Sequence, residues 1–264
     1  MLDKFRAAKQ AEISLLHALE SDGRIPQPLA GVRPGFANAL LSEKEIAVIA
    51  EYKRASPSRG EINMDAGPAE VALAYAKAGA SALSVLTEEE YFRGDINFLF
   101  KMCGRNFSNG LPHNLPLLRK DFIFDPLQVK MSAATPASAI LLIARMLEDE
   151  ELGRLLALAS ELGLECVVEV FDKEDLNRAQ KAGAGIIQVN NRDLDTLQVE
   201  LERSVELAPH KREGEVWISA SGIETPEQIC RLKAGGYDAV LVGTSLMKEE
   251  NPGEALKKLR GNNA

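Results

Sequence analysis

The chain lacks a basic excess. Lys and Arg number 31 against 39 Asp and Glu, a formal net charge of −8, whereas binding a nucleic-acid backbone requires a basic face that releases counterions. Cysteine is scarce too. The three residues Cys103, Cys166 and Cys230 have neither close pairing nor metal-type spacing, which suggests no disulfide framework and no zinc site and fits a reducing cytoplasm. No apolar run is long enough to span a bilayer. The N-terminus, MLDKFRAAKQAEISLLHALE, is amphipathic and charged throughout rather than built around a signal-peptide core. None of the three histidines (His17, His113, His210) ends a strand-like run, so a histidine base is not suggested.

What is present is ample material for one core: 264 residues, 45% hydrophobic and 27% charged. From Glu45 onward, the short apolar runs IAVIAEYK, SALSVLT, PLLRKDF, SAILLIA, ECVVEV, GIIQVNN, EVWISAS and AVLVGTS alternate with helix-like stretches. Continuous apolar character marks strands covered on both faces, as in a parallel sheet. A degenerate repeat, AKAGASAL, QKAGAGII and LKAGGYDAV, ends helices in Lys-Ala-Gly before a strand. Eight such units predict an α/β protein, a (β/α)8 TIM barrel. An open doubly wound sheet is the alternative, but the turn after the first strand, RASPSRG, is no dinucleotide fingerprint. Residues 1–264 read as a single barrel domain, with 1–44 as an N-terminal helical extension over the barrel. The polar stretch MCGRNFSNGLPHNLP reads as a mobile loop before the third strand.

Catalytic groups of such barrels gather at the C-terminal ends of strands, and charges stand there. Alternation puts Glu51 and Lys53 on one face of the first strand. Lys120 lies on the third, Glu169 interrupts the apolar fifth, and Asn190 and Arg192 share a face at the end of the sixth. Each alone would pass as a solvent-facing charge or a closing ion pair; together they indicate a shared site, because buried charges are costly unless paired or used. The residue types suit general acid and base chemistry. A lysine Schiff base remains an equal option at this point. After the last two strands, SASGI and LVGTSL supply small residues at tight turns, making Ser221, Gly222, Gly243, Thr244 and Ser245 phosphate candidates. Thr225 is a candidate helix cap, with Pro226 at the first helical position.

The stretches IAEYKRASPSRGEI, SVLTEEEYFRGDINFL, PLLRKDFIFDPLQV, AILLIARML, ECVVEVFDKEDLNRAQKAGAGIIQVNNRDL, SASGIETPEQI and DAVLVGTSLM resemble the indole-3-glycerol-phosphate synthases of tryptophan biosynthesis. They fall in family order from Ile46 to Met247. The resemblance implies a lyase that cyclises 1-(2-carboxyphenylamino)-1-deoxyribulose 5-phosphate with loss of carbon dioxide and water, and it implies neither metal nor organic cofactor. It makes Lys120 the general acid and gives Glu51, Lys53 and Glu169 shares in ring closure and dehydration. It implies that Asn190 positions the substrate, Arg192 faces an anionic part of it, Phe92 and Phe122 border the aromatic ring, and Ser56 reaches the phosphate. It implies a phosphorylated small-molecule substrate and no nucleic-acid or membrane partner. A cytoplasmic monomer is expected, with association with other tryptophan-pathway enzymes left open. Two departures stand out: Ala220 occupies a position that usually carries Glu, and Pro136 interrupts a turn that usually reads Gly-Ala-Asp. Other phosphate-binding barrels, such as a sugar-phosphate isomerase or a Schiff-base aldolase, stay open, as does a catalytically impaired scaffold barrel.

Overall fold

Burial on two sides turns the apolar runs into strands: the barrel interior covers one face and helices the other. In the computed structural model, which describes residues 1–42, 45–104, 111–193 and 196–261, the barrel strands are Ala47–Tyr52, Ala82–Leu86, Leu117–Lys120, Ala139–Ile143, Glu165–Val170, Ile186–Asn190, Val216–Ala220 and Ala239–Val242. Numbered first to eighth, they pair in parallel and in order. The sheet closes, with Ala47 of the first strand opposite Ala239 of the eighth. This is the (β/α)8 barrel, and closure rules out an open doubly wound sheet. Residues 105–110 of the polar loop read as mobile lie outside the described residues.

A helix follows every strand, from Pro68–Lys77 after the first to Thr244–Met247 after the eighth. The repeat at the helix ends has a conformational cause. Helices Pro68–Lys77 and Lys173–Lys181 stop at Ala78 and Ala182, and the next residues, Gly79 and Gly183, take φ of 85° and 84°. That left-handed turn disfavours any residue with a Cβ. Thr225 caps helix Pro226–Ala234 in a reciprocal box with Gln228.

The N-terminal segment contributes helices Leu2–Ala8, Gln10–Ser21 and Phe36–Leu41. Two of its several fastenings to the barrel are the Arg33 side chain and a buried ionic network. Arg33 donates through Nε to Ala137 O at 2.8 Å and through Nη2 to Thr135 O at 3.2 Å, so it braces the turn that carries Pro136. The second fastening is ionic and buried. Alternation along the third strand sends Lys120 into the barrel and its neighbours Arg119 and Asp121 outward. There Asp121 Oδ1 lies 2.9 Å from Lys9 Nζ, and Asp121 Oδ2 lies 2.9 Å from Arg119 Nη2. Thr87 Oγ1 donates to Asp121 Oδ2 at 2.6 Å, and Glu12 pairs with Lys9.

Burial alone would raise the Asp121 pKa, but the Arg119 and Lys9 charges outweigh it and hold the carboxyl at about 2. For Lys9, burial acts downward, yet Asp121 and Glu12 prevail and hold its pKa above the ordinary value. Lys9→Met removes one partner of this buried pair and should cost about 3 kcal/mol in urea unfolding at neutral pH. A depressed carboxyl pKa stabilises above the unfolded-state value and ceases to do so as pH falls through the folded one. The gap between wild type and Lys9→Met should therefore narrow as pH drops from 3.8 to about 2. Coincident unfolding curves at neutral pH would contradict the pairing.

Candidate active site

The C-terminal strand ends open into a cavity of about 670 Å³. Its charged floor is paired. Glu51 Oε1 accepts from Lys53 Nζ at 2.7 Å, and Ser84 Oγ donates to Glu51 Oε2 at 3.4 Å. Across the mouth, Lys120 Nζ lies 3.6 Å from Glu169 Oε2. Burial pushes the Glu51 pKa up, but the charges of Lys53 and Lys120 outweigh it and hold the carboxyl below its ordinary range. Two carboxylates and two ammonium groups thus face one space, the arrangement needed to deliver and withdraw protons at neighbouring atoms of one ligand.

The sixth strand delivers Asn190, whose Oδ1 accepts from Ser221 Oγ at 2.8 Å and from Arg192 N at 3.0 Å. Arg192 borders the same cavity, its Nη1 donating to Leu197 O at 2.9 Å. Burial, followed by the nearby Arg59 charge, lowers the Arg192 pKa, with Glu51 opposing. Two cations facing one cleft favour an anion between them. Arg59 comes from the RASPSRG turn, a small hairpin in which Ala55–Ser56 pairs with Gly60–Glu61. Ser56 lies on the cavity wall with it. Gly222, Gly243, Thr244 and Ser245 border the far side; Ser221 and Gly222 take φ of 73° and 77°. Ser245 Oγ donates to Ile223 O at 3.2 Å, which links the two turns.

Aromatic rings form the remaining wall. Phe92 and Phe122 both line the cavity, their centroids 6.2 Å apart. Sequence reasoning missed the third ring. Phe5, from the first N-terminal helix, stacks on Phe122 at 4.0 Å and 13°. It lies one helical turn before Lys9 on the same helix face, a placement that the structure and not the sequence reveals. Glu88, buried beneath, accepts from the backbone N–H groups of Glu90, Tyr91 and Phe92 and so shapes the loop that presents Phe92. The structure brings every residue singled out from the strand ends and turns to one cavity. Ala220 lines it as well, without a polar group to offer. Among the described residues, no group of three or more His, Cys, Asp or Glu is arranged to hold a metal ion.

A family model described as indole-3-glycerol phosphate synthase matches residues 2–259. An indole-3-glycerol phosphate synthase of Aquifex aeolicus is 47% identical over 216 residues, 81% of each chain. One of Campylobacter jejuni is 43% identical over 217 residues, 82% of this chain and 81% of its own. Among solved structures, a tryptophan synthase alpha subunit of Legionella pneumophila superposes with a TM-score of 0.60 at 14% identity, covering 87% of this chain and 98% of its own. A thiamine phosphate pyrophosphorylase of Pyrococcus furiosus gives 0.61 at 16%, covering 86% and 96%. At those identities the likeness concerns the fold alone.

Gly243 has a steric reason to be glycine. A Cβ there would stand 2.3 Å from Glu51 Oε1, closer than contact allows. Gly243→Ala should therefore displace the Glu51 carboxylate and lower turnover at least tenfold while the far-UV spectrum stays that of the wild type. Wild-type turnover in a folded Gly243→Ala variant would contradict a need for the Glu51 carboxylate in this place.

Proposed function

The chain belongs to the indole-3-glycerol phosphate synthase family, and we propose that its paired mouth charges carry out the ring closure with Lys120 as proton donor. The observation that supports this most is the placement of two lysine–carboxylate pairs beside an aromatic wall in one cavity. The substrate of this reading, 1-(2-carboxyphenylamino)-1-deoxyribulose 5-phosphate, has matching parts. Its phenyl ring suits Phe5, Phe92 and Phe122. Its phosphate suits the small-residue turns at Ser221–Gly222 and Gly243–Ser245, with Ser56 reaching over. Its carboxylate suits the cations Arg192 and Arg59, and Asn190, already tied to Ser221, orients the chain between.

In the first step the ring carbon bearing the carboxylate attacks the ketone carbon, and Lys120 protonates the ketone oxygen, which becomes a hydroxyl. The new bond leaves that ring carbon tetrahedral, and departure of carbon dioxide returns its electron pair and restores aromaticity. The hydroxyl then takes a second proton and leaves as water, pushed by the ring nitrogen. Loss of a proton from the adjacent CH2 completes the indole double bond. Glu51 with Lys53, and Glu169, share these later transfers: the lysine of a pair can give a proton while a carboxylate receives one. The chemistry assigned to these residues uses no metal or organic cofactor.

The working form is read as a cytoplasmic monomer; its acidic net charge speaks against polyanion partners. Among the described residues, no helix is long and apolar enough to cross a membrane.

Lys120→Ala should abolish formation of the fluorescent indole product, a loss of at least about a hundredfold, while substrate still binds and the fold is retained. Retained turnover would remove Lys120 from the acid role. Borohydride added with substrate should leave the wild type without a covalent adduct; a trapped lysine would instead indicate Schiff-base chemistry.

A further inference from the structure

Glu169 reaches the mouth from the fifth strand, and a neighbouring side chain fixes its direction. Gln188 lies in register beside it on the sixth strand and is fully buried. Gln188 Nε2 donates to Glu169 Oε2 at 2.5 Å. Lys120 Nζ stands 3.6 Å from the same oxygen, an ion pair beyond hydrogen-bond length. Among the described residues, the amide is therefore the hydrogen-bond partner that orients this carboxylate.

The other end of the same amide tells against a purely architectural role. Gln188 Oε1 is buried with no hydrogen-bond partner among the described residues. An unpaired buried oxygen destabilises a fold, and a leucine or methionine of similar size would avoid it. The positions of the adjoining seventh strand that share the face of Gln188 offer no substitute side-chain donor. Ile218 stands opposite Gln188 and Ala220 opposite Asn190, neither with a polar side chain. We propose that Gln188 is a positioning residue for Glu169: a neutral N–H donor that aims the carboxylate into the mouth without adding a charge to compete with Lys120. Catalytic groups need such supporting contacts, because small misplacements at the reacting atoms are costly in rate.

The inference rests on the proposed part of Glu169 in the reaction, so the test separates the two. Steady-state kinetics and thermal unfolding would be measured for wild type, Gln188→Leu, Glu169→Gln and the double variant. Gln188→Leu should lower kcat about tenfold, the scale of one lost hydrogen bond to a charged group, with KM within about twofold and Tm at or above wild type. In the Glu169→Gln background the same change should cost nothing further. Should the leucine variant not fold, Gln188→Met is read in the same way; failure of both would assign the amide to stability and overturn the proposal. So would wild-type kcat in Gln188→Leu alongside a collapse in Glu169→Gln, or an equal loss in both backgrounds. Wild-type kcat in Glu169→Gln would remove the role of Glu169 and this inference with it.

Discussion

A carboxylate can stand at the bottom of a barrel mouth only if something cationic or hydrogen-donating stands with it, and most of this molecule's polar architecture follows from that constraint. Glu51 is almost wholly buried, and Lys53 at 2.7 Å keeps it in its charged form. The room for that pair is made at the end of the neighbouring eighth strand, where Gly243 leaves free the space its own side chain would fill. Glu169 obeys the same rule with Lys120 and the Gln188 amide. Pairing is also what makes these groups chemically useful. A proton can move between members of a pair without leaving an isolated charge in a poorly solvated place.

The third strand applies the constraint on both of its faces. Lys120 turns into the barrel, while Arg119 and Asp121 turn outward into a network that Lys9 and Glu12 complete. The N-terminal segment is thereby bound by charge to the residues flanking the proposed proton donor. One helical turn away, Phe5 is laid on Phe122. A substrate with a carboxylate-bearing ring at one end and a phosphate at the other calls for such a division of the mouth, with aromatic rings at one end and small-residue turns at the other.

Much of this was legible in the sequence because physical necessity leaves marks there. Strands covered on both faces read as unbroken apolar runs, and Glu51, Lys120 and Glu169 announced themselves by interrupting such runs at one end. The glycines at the ends of the Lys-Ala-Gly repeat, Gly79, Gly183 and Gly236, announced helix ends because only glycine enters the left-handed turn cheaply. Phe5, Lys9 and Glu12 did not stand out, because an amphipathic helix has the same pattern whether its inner face meets ordinary core or the wall of a site. Arg59 was hidden in a turn whose hairpin pairing is set by tertiary position. Gln188 also breaks an apolar run, yet its meaning depends on the strand beside it, and register between strands distant in sequence is not written in either one. Ala220 was noticed as a departure; the structure adds that it borders the cavity without replacing the missing carboxylate.

The most direct measurement is a crystal structure of the protein with a reduced, non-cyclising analogue of the carboxyphenylamino-deoxyribulose phosphate. The account predicts the analogue's hydroxyl, at the former ketone position, within about 3.2 Å of Lys120 Nζ. It also predicts the phenyl ring against Phe5, Phe92 and Phe122, and the phosphate at the Ser221 and Gly243 turns. An analogue bound with that hydroxyl remote from Lys120, or with its phosphate against the aromatic wall, would contradict the central claim.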